Sequence, residues 1–84
     1  MKFKVGDQVR VHSWEYLEKT YGLDVDGDIG VLNPVFIASM KEYTGNVYRI
    51  DTVYSNCYKL RGCTRWNFPE GSVTAAFVYD ELFE

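Results

Sequence analysis

The sequence predicts a mainly β protein: a small antiparallel barrel of five to six short strands, with one or two short helices inserted after the first strand. Three observations carry this expectation. Apolar and polar residues alternate in short runs bounded by Gly, Asn, Asp and Ser, the pattern of half-buried strands joined by turns. The apolar period slips by one residue between Ile50 and Val53, which signals a β-bulge near Asp51-Thr52, and bulges bend strands enough to turn a barrel corner. The 84 residues are 46% hydrophobic and 17% aromatic, enough for one small core and too apolar for disorder, so residues 1–84 form a single domain.

Phe3-x-Val5 and Val9-x-Val11 share one parity across the turn-forming Gly6-Asp7. This puts an apolar face inward and Lys4, Gln8, Arg10 and His12 outward. Ser13 can cap a two-turn helix over residues 14–21, with Gly22 ending it at a positive φ. Trp14, Leu17 and Tyr21 lie along one face of that helix, and Glu15 stands four residues before Lys19. Residues 24–30 are dense in turn formers. Asn33-Pro34 then reads as the cap and first position of a second helix running to Tyr43, with Phe36, Met40 and Tyr43 on one face and Gly45 as its stop.

The stretch from Tyr43 to Leu60 reads as turn, strand, polar turn at Ser55-Asn56, and strand, a hairpin at the centre of the chain. Cys57 to Arg61 alternates, Arg61 to Thr64 turns, Arg65 to Phe68 forms a strand, and Pro69 to Ser72 breaks it. Val73 to Tyr79 is a last β-prone run before the acidic ending Asp80 to Glu84. Such a succession suits an SH3-like small barrel, or alternatively an open α+β sheet with both helices on one face.

The same residues carry a likeness to a known family. Phe3-x-Val5-Gly6-Asp7-x-Val9-x-Val11, Ser13-Trp14-Glu15 and Phe36-x-x-x-Met40-x-x-Tyr43-x-Gly45 form its first half. Ile50-x-x-Val53, Tyr58-x-Leu60, Trp66-x-Phe68 and the acidic ending complete it. In this order they resemble short proteins encoded by phages and prophages of Gram-positive bacteria, small SH3-like barrels similar to the mind-bomb type of domain. The resemblance implies a fold and an accessory role, and it brings no catalytic activity. The chain departs from that pattern at Asn46, where a lysine is more usual, and in the added segment from Pro69 to Tyr79.

Composition and motifs narrow the chemistry. A formal net charge of −3 offers no overall basic field to DNA or RNA. The N-terminal residues have no apolar signal-peptide core, and no apolar run approaches the roughly 20 residues of a membrane helix, so the expected location is the cytoplasm, with no membrane partner. Cys57 and Cys63 are expected to be free thiols there. Asp24-x-Asp26-Gly27-Asp28 places carboxylates at calcium-loop positions 1, 3 and 5, but Ile29 stands at the sixth-position glycine and Val35 at the twelfth-position glutamate. A solvated acidic loop is the reading taken. Cys57, Cys63 and His12 lack the paired spacing of a zinc site. No nucleophile elbow, phosphate loop or metalloprotease helix occurs, so neither enzyme activity nor a cofactor or metal is expected.

Charge is unevenly distributed. Residues 44–66 hold Arg49, Lys59, Arg61 and Arg65 against Asp51, a local +3. Residues 13–30 carry −4 and residues 67–84 carry −4. The basic segment interleaves these cations with Tyr48, Tyr54, Tyr58 and Trp66, the residue types of both protein-binding hot spots and stacking surfaces for single-stranded nucleic acid. The expected site is therefore a partner-binding surface of Tyr48, Arg49, Tyr54, Tyr58, Lys59, Arg61 and Arg65, flanked by Trp14 and Tyr16. The resemblance to phage-encoded proteins implies that the partner is a host or phage protein, modulated or inhibited by a phage-derived accessory module. Nucleic-acid or nucleotide binding is the alternative, and a structural, homo-oligomeric phage component is the third reading.

Overall fold

The structure, a computed structural model, describes residues 2–77. It is mainly β. Five strands, β1 (Gln8–Val11), β2 (Val47–Val53), β3 (Cys57–Leu60), β4 (Cys63–Pro69) and β5 (Val73–Ala75), form one antiparallel sheet in the order β4-β3-β2-β1-β5. An α-helix, α1 (Trp14–Tyr21), and a 3-10 helix (Ala38–Tyr43) lie between β1 and β2, and a 3-10 turn (Glu70–Ser72) joins β4 to β5. Among the described residues no helix is long and apolar enough to cross a membrane. The acidic ending and the last part of the Val73 to Tyr79 run lie outside the described residues.

The first strand starts later than the parity of Phe3 and Val5 suggests. Lys4 and Asp7 close a turn, with the Asp7 N–H donating to the Lys4 carbonyl (3.0 Å) and the Lys4 N–H to Asp7 Oδ2 (3.0 Å). Val5 sits at its tip, 62% exposed rather than inward. From Gln8 the alternation holds, and Val9 and Val11 are fully buried. It stops at the strand end, so His12 is buried instead of outward. Its N–H donates to the Ser72 carbonyl (2.9 Å), and its ring stacks on Tyr16 at 3.9 Å.

Ser13 caps α1 as its position implies: its Oγ accepts from the Tyr16 N–H at 3.1 Å. Leu17 is the fully buried residue of the helix, while Trp14 and Tyr21 pack at the core's margin. Gly22 has a positive φ of 78°, and its N–H returns to the Glu18 carbonyl.

The second helix differs from the expectation. Asn33-Pro34 is a cis peptide and starts no helix. The chain turns and bends through residues 30–34 and then forms a bridge at Phe36 with Ile29, the Ile29 N–H donating to the Phe36 carbonyl at 2.8 Å. Both side chains are fully buried. Burying that pair outweighs the local helix signal, so the helix is a shorter 3-10 segment from Ala38 whose cap, Ile37, makes no side-chain hydrogen bond. Met40 is buried and Tyr43 packs against the core, as the predicted face required.

The central hairpin forms as read. Tyr54 N–H donates to the Cys57 carbonyl (2.9 Å) around Ser55-Asn56, and the register shifts between Ile50 and Thr52, leaving Asp51 at the bulge. Arg61-Gly62 makes the next turn, with Gly62 at φ 89°, so β4 begins at Cys63 rather than Arg65. The segment from Pro69 onward does more than break a strand. It turns through Glu70–Ser72 and delivers β5 to the free side of β1, where Val73 pairs with Val11.

That connection dictates the shape of the sheet. Strands β4 and β5 are at opposite edges, which in a flat five-stranded sheet would be about 19 Å apart at about 4.8 Å per strand. Three residues of 3-10 helix at about 2 Å rise each cannot span that distance. The sheet therefore curls strongly and folds its apolar side around Val9, Ile50, Tyr58, Leu60 and Phe68.

Candidate protein-binding face

The outward side of β1, β2 and β3 is built by strand alternation. Val9 and Val11 face inward, so Gln8 and Arg10 face out. In β2 the inward Ile50 sets Arg49 and Val47 outward; in β3 the inward Tyr58 and Leu60 do the same for Lys59 and Arg61. The register then places Arg10 opposite Val47, Gln8 opposite Arg49, and Lys59 opposite Thr52. The Arg61 N–H donates to the Arg49 carbonyl at 2.8 Å, and Ile50 pairs with Leu60, so Arg49 and Arg61 are direct cross-strand neighbours.

The cationic heads are held by carbonyl oxygens. Arg49 Nη1 donates to the Gly6 carbonyl (2.9 Å), Lys59 Nζ to that of Thr64 (2.8 Å), and Arg10 to those of Gly45 (2.6 Å) and Ala76 (3.2 Å). Among the described residues, none of Arg49, Lys59, Arg61 and Arg65 is ion-paired with a carboxylate. A guanidinium has five N–H donors, so one bond to a carbonyl leaves most of them for an external anion. Like charges directly opposed across strands destabilise a sheet by about 0.2–1 kcal/mol.

The expected site is thus brought together only in part. Arg49, Lys59 and Arg61 share the outer face. Arg65 is exposed where the β3–β4 register shifts, its guanidinium 4.9 Å from the Trp66 ring. Tyr54 stands at the hairpin turn, 43% exposed.

Tyr58 does not belong to the surface: it is fully buried, and its hydroxyl accepts the Phe3 N–H at 3.1 Å. Tyr48 also turns to the core side, opposite the inward Val9 and edge-on to Tyr43. Trp14 and Tyr16 lie on α1, away from the sheet's outward register. Trp14 packs beside Phe36 under the Lys41 ammonium (4.5 Å), and Tyr16 lies against His12.

Parity already held the clue. Tyr58 alternates with Lys59 and Arg61 and keeps step with Leu60, just as Tyr48 keeps step with Ile50. Arg10, Gln8 and Val47 were missed because their place beside Arg49 depends on β1 pairing with β2, which no local pattern reveals.

The other candidate groups make contacts within the fold. Asp24 Oδ1 accepts the N–H groups of Asp26 (2.9 Å) and Asp28 (3.0 Å), and Asp28 Oδ1 accepts that of Ala38 (2.6 Å). The acidic triad, whose ligand atoms fall within 4.8 Å of one another, thereby shapes the loop that carries Ile29 to its bridge. Both cysteines are free and buried, and burial pushes both thiols up, Cys63 to about 11. Burial first, and then the Glu70 carboxylate beside it, push the Tyr58 phenol up to about 12.

These shifts set an alkaline limit on stability. The folded chain holds the Cys63 and Tyr58 protons above the ordinary values of 9.0 and 10.0, so their contribution is full below pH 9.0. It is lost between 9.0 and about 11 for Cys63 and between 10.0 and about 12 for Tyr58. Urea midpoints measured from neutral pH upward are expected to fall across this window. Tyr58→Phe should lessen the upper part of the fall, to which the Tyr21 and Tyr48 phenols, also pushed up by burial, contribute as well.

Comparison with protein-family models, with curated proteins and with solved structures finds no match in any of the three.

Proposed function

We propose that this chain is a non-enzymatic binding module whose outer β1–β2–β3 face docks an acidic surface of a protein partner. The observation that carries the reading is the Arg49–Arg61 pair, neighbours across the β2–β3 register with Lys59 on the same face and no carboxylate partner among the described residues. Opposed like charges cost folding stability, and a bound anionic surface would offset that cost. The curl forced by the β4–β5 connection supports closure into an SH3-like small barrel, on which such a face is a rigid platform. The likeness to phage-encoded small barrels supports the narrower reading of an accessory protein that modulates or inhibits a host or defence protein in the bacterial cytoplasm.

Placement of the tyrosines favours protein over single-stranded nucleic acid. Stacking of successive bases needs several exposed rings beside the cations. With Tyr58 in the core and Tyr48 on the core side, Tyr54 is the exposed ring of the three hairpin tyrosines.

The test is capture from a Gram-positive bacterial lysate by the tagged protein, with identification of what binds. The expected result is a discrete protein released by raised salt and not captured by Arg49→Glu/Arg61→Glu. That double variant keeps a like-charge pair at the same exposed positions and gives up one exposed bond, from Arg49 to the Gly6 carbonyl, so circular dichroism is used to check that it is folded. Capture of the same protein by the folded variant would refute the face. Binding to oligonucleotides with a steep fall of log affinity against log salt would favour the nucleic-acid reading instead.

A further inference from the structure

A second surface of the molecule is complementary to the basic face. The loop spanning residues 22–37 is anchored inward by Ile29 and Phe36, yet it leaves four aliphatic side chains in solvent. Val25 is 101% exposed and Val31 70%, with Leu23 and Val35 also exposed. Single exposed aliphatics are ordinary, but four in one loop give it apolar area to offer a contact. The same loop bears Asp24, Asp26 and Asp28 and no basic residue. The basic face, for its part, has exposed aliphatics at Val47 and at Val5 in the turn just before β1.

We infer that the 22–37 loop of one copy of this chain docks on the outer β1–β2–β3 face of a second copy. The occupant is chosen by charge and by shape of composition: carboxylates with aliphatics on one surface, guanidiniums and an ammonium with aliphatics on the other. The two patches differ, so the contact is head-to-tail rather than two-fold. It uses the face that the partner reading uses, so self-association and capture of an acidic partner compete. It does not require that such a partner exist.

Three loop groups have distinct uses, which guides the test. Asp24 and Asp28 carboxylates accept backbone N–H groups and hold the loop, whereas the exposed Asp26 contributes only its own N–H to that network. Asp26→Lys therefore reverses charge without removing a loop bond, and Arg49→Glu/Arg61→Glu reverses the other side.

Sedimentation equilibrium of the purified protein is the measurement, at low and high salt and up to about 1 mM, the range in which a weak contact shows. At low salt the wild type is expected to exceed its monomer mass of 9.7 kDa, and at high salt to approach it. Each variant should associate more weakly than the wild type: Asp26→Lys cuts the loop charge from −3 to −1, and Arg49→Glu/Arg61→Glu puts two carboxylates opposite that loop, a loss of at least about tenfold. An equimolar mixture of the two variants should associate again, since each then meets its opposite. Circular dichroism checks that both remain folded.

A wild type that stays monomeric at every concentration overturns the inference. So does association that strengthens with salt, is undiminished in either variant, or fails to return in the mixture. A monomer that still captures an acidic partner would sink this proposal alone, leaving the partner reading intact.

Discussion

Tyr58→Ala is expected to lower the unfolding free energy by about 3–5 kcal/mol, the cost of emptying a buried aromatic site. A domain of this length has about 4–12 kcal/mol in total, so the variant loses a large share of its stability. Tyr58 is the largest fully buried side chain, pairs with Phe68 across β3 and β4, and meets Phe3 edge-on at 6.1 Å. Tyr58→Phe keeps the ring and removes the acceptor of the Phe3 N–H. It also leaves Glu70, whose Oε2 is already buried without a hydrogen-bond partner, facing one polar group fewer. That change should cost about 1–3 kcal/mol. Urea unfolding of the three proteins checks the order. Equal stability of wild type and Tyr58→Ala would show that the ring is not in the core.

Phe36→Ala is the second large effect, again about 3–5 kcal/mol. Phe36 is fully buried, with Trp14 and Phe68 both at 6.1 Å between ring centroids, so it joins α1, the long loop and β4 at one point. Its backbone also holds the bridge to Ile29. Losing the ring should loosen residues 22–37 first. Hydrogen exchange is expected to speed up at the Ile29 amide well before it does at Val9 or Ile50 in the sheet. Uniform loss of protection would mean that the loop and the sheet unfold as one unit.

These residues also show what was legible beforehand. Ser13 as a cap, the Ser55-Asn56 turn and the slip near Asp51 are local features, set by neighbours within a few residues, and each appears where the sequence predicts. The helix expected from Asn33 failed because Phe36 is recruited by Ile29 in a bridge that no local propensity encodes. The site was legible by half. Arg49 alternates with the inward Ile50, and Lys59 and Arg61 alternate with the inward Tyr58 and Leu60, so each faces out of its own strand, but composition alone grouped Tyr48 and Tyr58 with them against that alternation. Arg10 and Val47 needed the β1–β2 register, which is set by contacts between distant parts of the chain.

The joining of opposite sheet edges by one 3-10 turn has a kinetic consequence. Strands β2, β3 and β4 follow one another through tight turns, so their pairing closes only small loops. The β1–β5 seam instead joins Val11 to Val73, across most of the chain, and carries the largest entropic cost of closure. The β2–β4 meander is thus expected to order in the folding transition state and the seam to zip up afterwards. Stopped-flow measurements should then show Ile50→Val slowing folding, whereas Val73→Ala mainly speeds unfolding. The molecule would come apart as it finished assembling, from the seam inward.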